Sequence, residues 1–417
     1  MKETVFTNML LAICLTTFVF TSCNNNEDEN LNYEDQMIER KDIVLTRSEQ
    51  EMVANNNVFA FNLFANVKEK LSEGKSFMVS PLSVTYALGM LNNGADGGTK
   101  EEICNVLGVN DAATMNAFCR KMIDESGKLD PSTKLSIANA VEVNKDYELY
   151  DDFIKVVKSN YDAEVENLDF SSPSALKHIN DWCSKHTNGL IPEILTELDP
   201  NAISVLLNAI YFKGIWTNKF DKKETKKESF KLANGKEVKV QMMHQKDVFN
   251  MGFNGTCKAL CLSYGNKAYN LTILLPLEGK NTDDVLKSID RKDWRKSLNM
   301  YGQTVDVKLP QFKTESKFRL EKILPAMGMP SAFTNDADFS KFCTKPAKIT
   351  DVIHKSYVEV NEEGTEAAAV TAITMKDASI GGTPQIPEFH ADHPFIYIIS
   401  EMSTNTIFFI GEYNGVN

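Results

Sequence analysis

The sequence has no excess of positive charge: 45 Lys and Arg stand against 57 Asp and Glu, for a net charge of −12. Nucleic acid is disfavoured as the main partner, because phosphate binding needs a net basic face. Motifs for nucleophiles, metals and cofactors are also missing: no GxSxG, HExxH or GxGxxG occurs. Gly74-Lys75-Ser76 echoes the end of a phosphate loop, but the earlier Gly such a loop needs is Glu69. Only six His are present. His390 and His393 would project to opposite faces of a strand, so structural roles are expected of them. No CxxC occurs among the eight Cys. In an extended strand Cys257 and Cys261 would lie about 13 Å apart, too far for a disulfide. Cys104, Cys119, Cys183, Cys257, Cys261 and Cys343 read as small buried hydrophobes. Nothing here argues for an enzyme, a metal or a cofactor.

Long apolar runs are equally scarce. Met9 to Phe20 is apolar but too short to cross a bilayer as a mature helix. It ends in Thr21-Ser22-Cys23, which resembles a bacterial lipoprotein signal. Residues 1–22 would be removed and Cys23 lipidated. Asn24 to Asn30 is polar and acidic, so residues 23–47 read as a solvated tether. An acidic stretch after such a Cys is similar to the export signal that places Bacteroidetes lipoproteins on the cell surface. The expected location is the outer membrane, surface-exposed, with a secreted or periplasmic protein as the alternative.

From residue 48 to 417 one large mixed α and β fold is expected, since hydrophobic residues make up 42% and charged residues 24%. Ser48 and Glu51 form a capping box before an apolar face running from Val53 to Leu71. Ser80-Pro81 starts a second helix, Lys100 to Leu107 a third, and Ser172-Pro173 another to about Thr187. Lys134 to Val143 reads as a strand. Ser204 to Lys213 is almost unbroken in apolar character, the mark of a strand buried on both faces. Tyr269 to Leu275 and Thr304 to Leu309 alternate like half-buried strands, and Thr406 to Phe409 belongs to a last one.

The unusual segment is Glu362 to Glu388, rich in small and β-capable residues and closed by Pro384 and Pro387. A structureless loop of that length in a compact domain points to function. On one side of a would-be strand lie Thr365, Ala367, Ala369, Thr371, Ile373 and Met375, none charged. The other side has Glu366 and Lys376 at its ends. A loop that stays in water has no reason to keep one face uncharged. A loop that can become a central strand does.

These residues resemble the serpin family, and the likeness runs from about residue 48 to the end. Glu363-Gly364-Thr365-Glu366-Ala367-Ala368-Ala369 is similar to the hinge of inhibitory serpins. Phe389-His390-Ala391-Asp392-His393-Pro394-Phe395 to Gly411 is similar to their C-terminal signature. Ser80-Pro81-Leu82-Ser83, Ile137 to Ala140, Asn208 to Trp216, Leu309 to Phe312 and Met327 to Met329 match in the family's order. The resemblance, to a bacterial lipoprotein form similar to Bacteroidetes serpins, implies a mixed α/β fold. It implies three β-sheets, eight or nine helices and an exposed reactive-centre loop at about 362–388.

It also implies irreversible suicide-substrate inhibition of serine proteases. The protease forms an acyl-enzyme with the loop, the cleaved loop enters the central sheet, and the trapped enzyme is distorted before it can hydrolyse the bond. The family's spacing from Gly364 places the reactive bond at Ala378–Ser379, which suits an elastase-like enzyme. Lys376–Asp377 is the alternative for a trypsin-like enzyme, and Met375 would suit a chymotrypsin- or subtilisin-like one. A papain-like cysteine protease is a further candidate partner. By the same matching Ser80, Ser83, Asn208 and His354 form the shutter, where central strands part, and Trp216 lies in the breach, where insertion begins. A monomer is expected. The alternative is a non-inhibitory serpin acting as a surface binding protein.

Overall fold

The computed structural model describes residues 39–71, 74–350, 352–365 and 386–415. Helices among them are α1 (Arg47–Lys70), α2 (Pro81–Gly94), α3 (Gly97–Leu107), α4 (Ala112–Glu125), α5 (Asp151–Tyr161), α6 (Pro173–His186) and α7 (Thr282–Ser288). The first strands are β1 (Phe77–Val79), β2 (Lys134–Asn144), β3 (Glu164–Leu168), β4 (Ser204–Ile215) and β5 (Lys226–Lys231). There follow β6 (Glu237–Phe253), β7 (Cys257–Tyr264), β8 (Tyr269–Pro276), β9 (Tyr301–Pro310) and β10 (Phe312–Arg319). The last are β11 (Ile353–Asn361), β12 (Gly364–Thr365), β13 (Glu388–His390), β14 (Phe395–Glu401) and β15 (Ile407–Tyr413).

The helix ends follow local chemistry. α1 is capped by Thr46, not Ser48: Thr46 Oγ1 accepts from Glu49 N at 3.3 Å, and Glu49 Oε2 accepts from Thr46 N at 2.6 Å. The fold therefore starts before residue 47, the end of the tether expected from sequence. Ile43 is buried and donates its N–H to Ser403 Oγ at 2.9 Å. Ser80 caps α2 with Pro81 in the first turn. Gly108 ends α3 in the left-handed region at φ 69°, where a Cβ would meet Asn55 Cβ at 2.6 Å.

Two continuous ladders organise the strands. One follows the order β1-β15-β14-β8-β7-β6-β9-β13, with β5 on β6. The other follows β10-β11-β12-β4-β2-β3. The class is the one expected, while the counts are lower: seven α-helices among the described residues and two ladders rather than three sheets. β6 accounts for the second difference. Its 17 residues pair with β5 at one end, β9 along the middle and β7 at the other, so hydrogen bonding never breaks. The six Cys in the described residues are buried, as expected, and are free.

Two strands depart from their sequence patterns. β8 is buried throughout rather than on one face. It is central, and its polar Asn270 is matched by Arg295 Nη2 and Ser400 Oγ at 2.8 and 3.1 Å. β4 is not buried on both faces: Leu206, Asn208 and Ile210 stay half-buried. The reason is that, among the described residues, its edge towards β11 is unpaired over much of its length.

Candidate functional site

The site is a partly opened seam in the six-stranded sheet. β12 lies between β11 and β4 at one end only, antiparallel to both. Thr365 pairs with Val360 on one side and Gly214 on the other; Gly364 pairs with Asn361 and Ile215. Beyond Thr365, no ladder joins β11 to β4 among the described residues. Instead a cavity of about 380 Å³ lies between Ser204–Asn208 of β4 and Ile353–Lys355 of β11. One side of the cavity is lined by Val84, Ala87, Leu88 and Leu91 of α2, the other by the segment from Ile194 to Ile203. That segment and α6 form the outer cover, with Ile179, Trp182, Cys183, Ile191, Ile194 and Leu195 packed on β2 and β4.

Close packing fixes the upper end. Gly364 has φ +151°, and a Cβ on it would meet Gly214 O at 2.0 Å. Only glycine fits there. Gly214 in turn leaves room for the Tyr264 ring, which an added Cβ would meet at 2.6 Å. Tyr264 OH and Thr365 Oγ1 are hydrogen-bonded at 2.6 Å, and Thr365 is 1% exposed. Burial pushes the Tyr264 hydroxyl far above its ordinary pKa, so it is neutral at any working pH. Trp216 stacks on Tyr264 with ring centroids 4.4 Å apart. Its Nε1 donates to Asn361 O at 2.8 Å, and its N donates to Glu363 O at 2.8 Å. The residue assigned to the breach thus touches both ends of the tight turn that leads into β12.

Glu363 is paired with Lys219 and Lys222, each at 3.1 Å. Partial burial would raise its pKa, but the two ammonium groups hold it below the usual value. Glu362 Oε1 accepts from Thr225 Oγ1 at 2.6 Å and from Gln311 Nε2 at 2.7 Å. Several of these residues are not among those expected from sequence, Tyr264, Gly214, Lys219 and Lys222 among them. Gly214 lies inside a matched string, but no local pattern marks the other three.

At the level of the cavity, each half of the sheet is tied to a different support. His354 Nε2 accepts from Ser80 N at 2.9 Å, and Ser80 Oγ donates to Phe408 O at 2.8 Å while accepting from Ser83 N at 3.3 Å. Ser356 Oγ donates to Met78 O, and Met78 N donates to Ser316 Oγ, both at 3.0 Å. The β10–β11 half is therefore bound to β1 and α2. Asn208 Nδ2 donates instead to Asn139 Oδ1 at 2.8 Å, and Asn139 Nδ2 to Tyr161 O at 2.7 Å. Hence β4 is bound to β2 and α5. Asn208 Oδ1 is buried without a partner. Burial pushes the pKa of His354 down to about 4, so it is neutral near pH 7 with its proton on Nδ1. Ser80, Ser83 and His354 are thus brought together, while Asn208 faces them across the seam.

Glu363, Gly364 and Thr365 of the hinge fall in the described residues. Glu366, Ala367, Ala368 and Ala369, both candidate bonds (Ala378–Ser379 and Lys376–Asp377), and Cys23 lie outside them. His390 and His393 do not converge on a metal site. His390 Nε2 lies 3.2 Å from Asp306 Oδ1, and His393 Nδ1 lies 2.8 Å from Asp392 Oδ1.

Comparison with known proteins gives the arrangement a family. The family model described as "Serpin (serine protease inhibitor)" matches residues 54–415. Serpin B6 of Macaca fascicularis is 35% identical over 372 residues, 86% of this chain and 98% of that protein. Human thyroxine-binding globulin, solved in complex with thyroxine, is 30% identical with a TM-score of 0.81, covering 89% of this chain and all (100%) of that one. The native-state structure of tengpin, a thermophilic serpin, is 26% identical with a TM-score of 0.81, covering 91% and 99%. A partly opened central sheet, a glycine-led strand entering it and a family match over nearly the whole body have one reading: the chain belongs to the serpins, the family of serine protease inhibitors.

Proposed function

We propose that the chain is an inhibitory serpin, a suicide substrate that traps a serine protease by completing β12 after cleavage. One observation carries this reading. Thr365, first of the uncharged face, already points inward between β11 and β4, and among the described residues no strand fills the seam ahead of it.

The register makes the reading specific. Continuing antiparallel from Thr365, each further residue moves one place down both neighbours. Ala367 would lie between Val358 and Phe212, and Ala369 between Ser356 and Ile210. Thr371 would reach His354 and Asn208, where its hydroxyl could donate to the unpartnered Asn208 Oδ1. Ile373 would lie between Val352 and Leu206, and Met375 opposite Thr350 and Ser204; all four neighbours line the cavity. The inward face is small where Phe212 and Tyr264 crowd it and large where the cavity is. Volume and position agree.

The same count supports Ala378–Ser379 as the bond. Met375 reaches Ser204, the first residue of β4, leaving residues 376–378 to span from the strand's end to the acyl-enzyme. Cleavage at Lys376–Asp377 would leave one residue. Insertion over about fourteen residues at about 3.3 Å each carries the protease roughly 46 Å. An Ala before the bond favours an elastase-like target. We further propose that Cys23 carries the lipid that holds the protein at the outer membrane.

Incubation with an elastase should give a covalent complex that survives denaturation, and a released fragment beginning at Ser379. A fragment beginning at Asp377 would move the bond to Lys376. Cleavage with neither complex nor gain in heat resistance would refute inhibition and favour a non-inhibitory binding protein, as thyroxine-binding globulin is by name. Metabolic labelling with palmitate, lost in Cys23→Ser, tests the anchor.

A further inference from the structure

Away from the seam, three side chains converge with no role in the mechanism. Glu142 of β2 and Glu166 of β3 are direct neighbours in the parallel ladder, so their side chains share a face. That face is covered by α6, which contributes His178. His178 Nε2 stands 3.5 Å from Glu142 Oε1 and 3.4 Å from Glu166 Oε2. One ligand atom from each residue lies within 4.8 Å of the others.

A pair of carboxylates beside one imidazole could be a plain ion pair. Three observations point further. The Glu142 side chain is 1% exposed, and its Oε2 has no hydrogen-bond partner. His178 Nε2 has no hydrogen-bond partner either, although it lies between two acceptors. The separations of 3.4 and 3.5 Å exceed a good N–H···O bond. They match the edge of a tetrahedron around a zinc ion, roughly 3.4 Å for N and O ligands about 2.1 Å from the metal.

We propose that Glu142, Glu166 and His178 bind a divalent first-row transition ion of the zinc type, with water completing the coordination. An imidazole with two carboxylates favours zinc or cobalt over calcium or magnesium, which take oxygen alone. The ion would join α6 to β2 and β3. Cys183, buried on α6, is not one of the residues whose ligand atoms converge here.

The test uses the whole protein without a histidine tag. Equilibrium dialysis against Zn²⁺ should show saturable binding of one ion per chain, with a rise in Tm. Co²⁺ should give the intense visible bands of a tetrahedral site. Glu166→Gln removes the most exposed ligand, so its fold and its Tm in EDTA should match the parent. Zinc affinity should fall at least about 10-fold, since loss of a mere second-layer partner already costs that much. His178→Ala should abolish the cobalt bands. Absence of stoichiometric zinc binding overturns the proposal. So does equal affinity in parent and Glu166→Gln, which would move the metal elsewhere. Neither result touches the inhibitory reading, which does not depend on this site.

Discussion

Replacing Thr365 by Arg tests the seam directly. The side chain is 1% exposed and points at the Tyr264 hydroxyl, in a layer closed by the Trp216 and Phe212 rings. No carboxylate is among these contacts. An Arg there loses one hydrogen bond, about 1 kcal/mol, and must also bury an unpaired guanidinium, which costs several kcal/mol even after relaxation. The cheaper course is to keep residue 365 outside the sheet. Native stability then falls only modestly, but every route to full insertion must bury the charge or bypass it. Each ~1.4 kcal/mol added to that barrier slows insertion about tenfold. A penalty of about 3 kcal/mol gives roughly a hundredfold, enough for hydrolysis to overtake trapping. The assay is partition: moles of Thr365→Arg consumed per mole of elastase inhibited, with complex and cleaved chain separated on a denaturing gel. The variant should run almost wholly to cleaved chain. An unchanged ratio would show that inward entry of residue 365 is not required, and trapping by strand insertion would be refuted.

Further outcomes follow from neighbouring contacts. Gly364→Ala should expel β12 and lower the native Tm by the equivalent of about 1–3 kcal/mol, because its Cβ would strike the Gly214 carbonyl rather than a movable side chain; an unaltered Tm contradicts the register. Ile373→Ala should leave native stability alone but cost the cleaved form about 2–5 kcal/mol, read as a lower urea midpoint, if this side chain fills the cavity. Acid should weaken the native state through His354. Its folded pKa of about 4 lies below the ordinary 6.5, so its contribution is complete above pH 6.5 and is lost as pH falls towards 4. The full span is about 3 kcal/mol, and His354→Gln should flatten the rise in unfolding rate across that window.

The readable parts of the sequence are those set by short-range rules. Pro81 after Ser80, the apolar spacing of α1 and the alternation in β9 each have a local cause, and the elements stand within a few residues of their expected bounds. The uncharged face that starts at Thr365 is legible because side-chain direction alternates along any strand. What escapes depends on contacts distant in sequence. Tyr264 matters because Gly214 admits its ring and Thr365 meets its hydroxyl, and nothing around Ser263-Tyr264-Gly265 announces either. The apolar run of β4 suggests cover on both faces, yet run length cannot tell a strand flanked by two neighbours from one that, among the described residues, lacks a neighbour over most of one edge. Local chemistry does not select Thr46 as the cap of α1, because Ser48 offers the same hydroxyl two residues later.

The separate attachment of the two half-sheets has a cost. Among the described residues, backbone groups of Ser204–Asn208 and Ile353–Lys355 form an edge in the middle of a sheet, where most proteins have none. Such an edge does not ask which chain supplies its partner. Any extended peptide with small residues followed by larger apolar ones can be zipped in, including the loop of a second molecule. Crowded or warmed, the protein would therefore be expected to link into chains, with its own uncut loop as the best competitor against that fate.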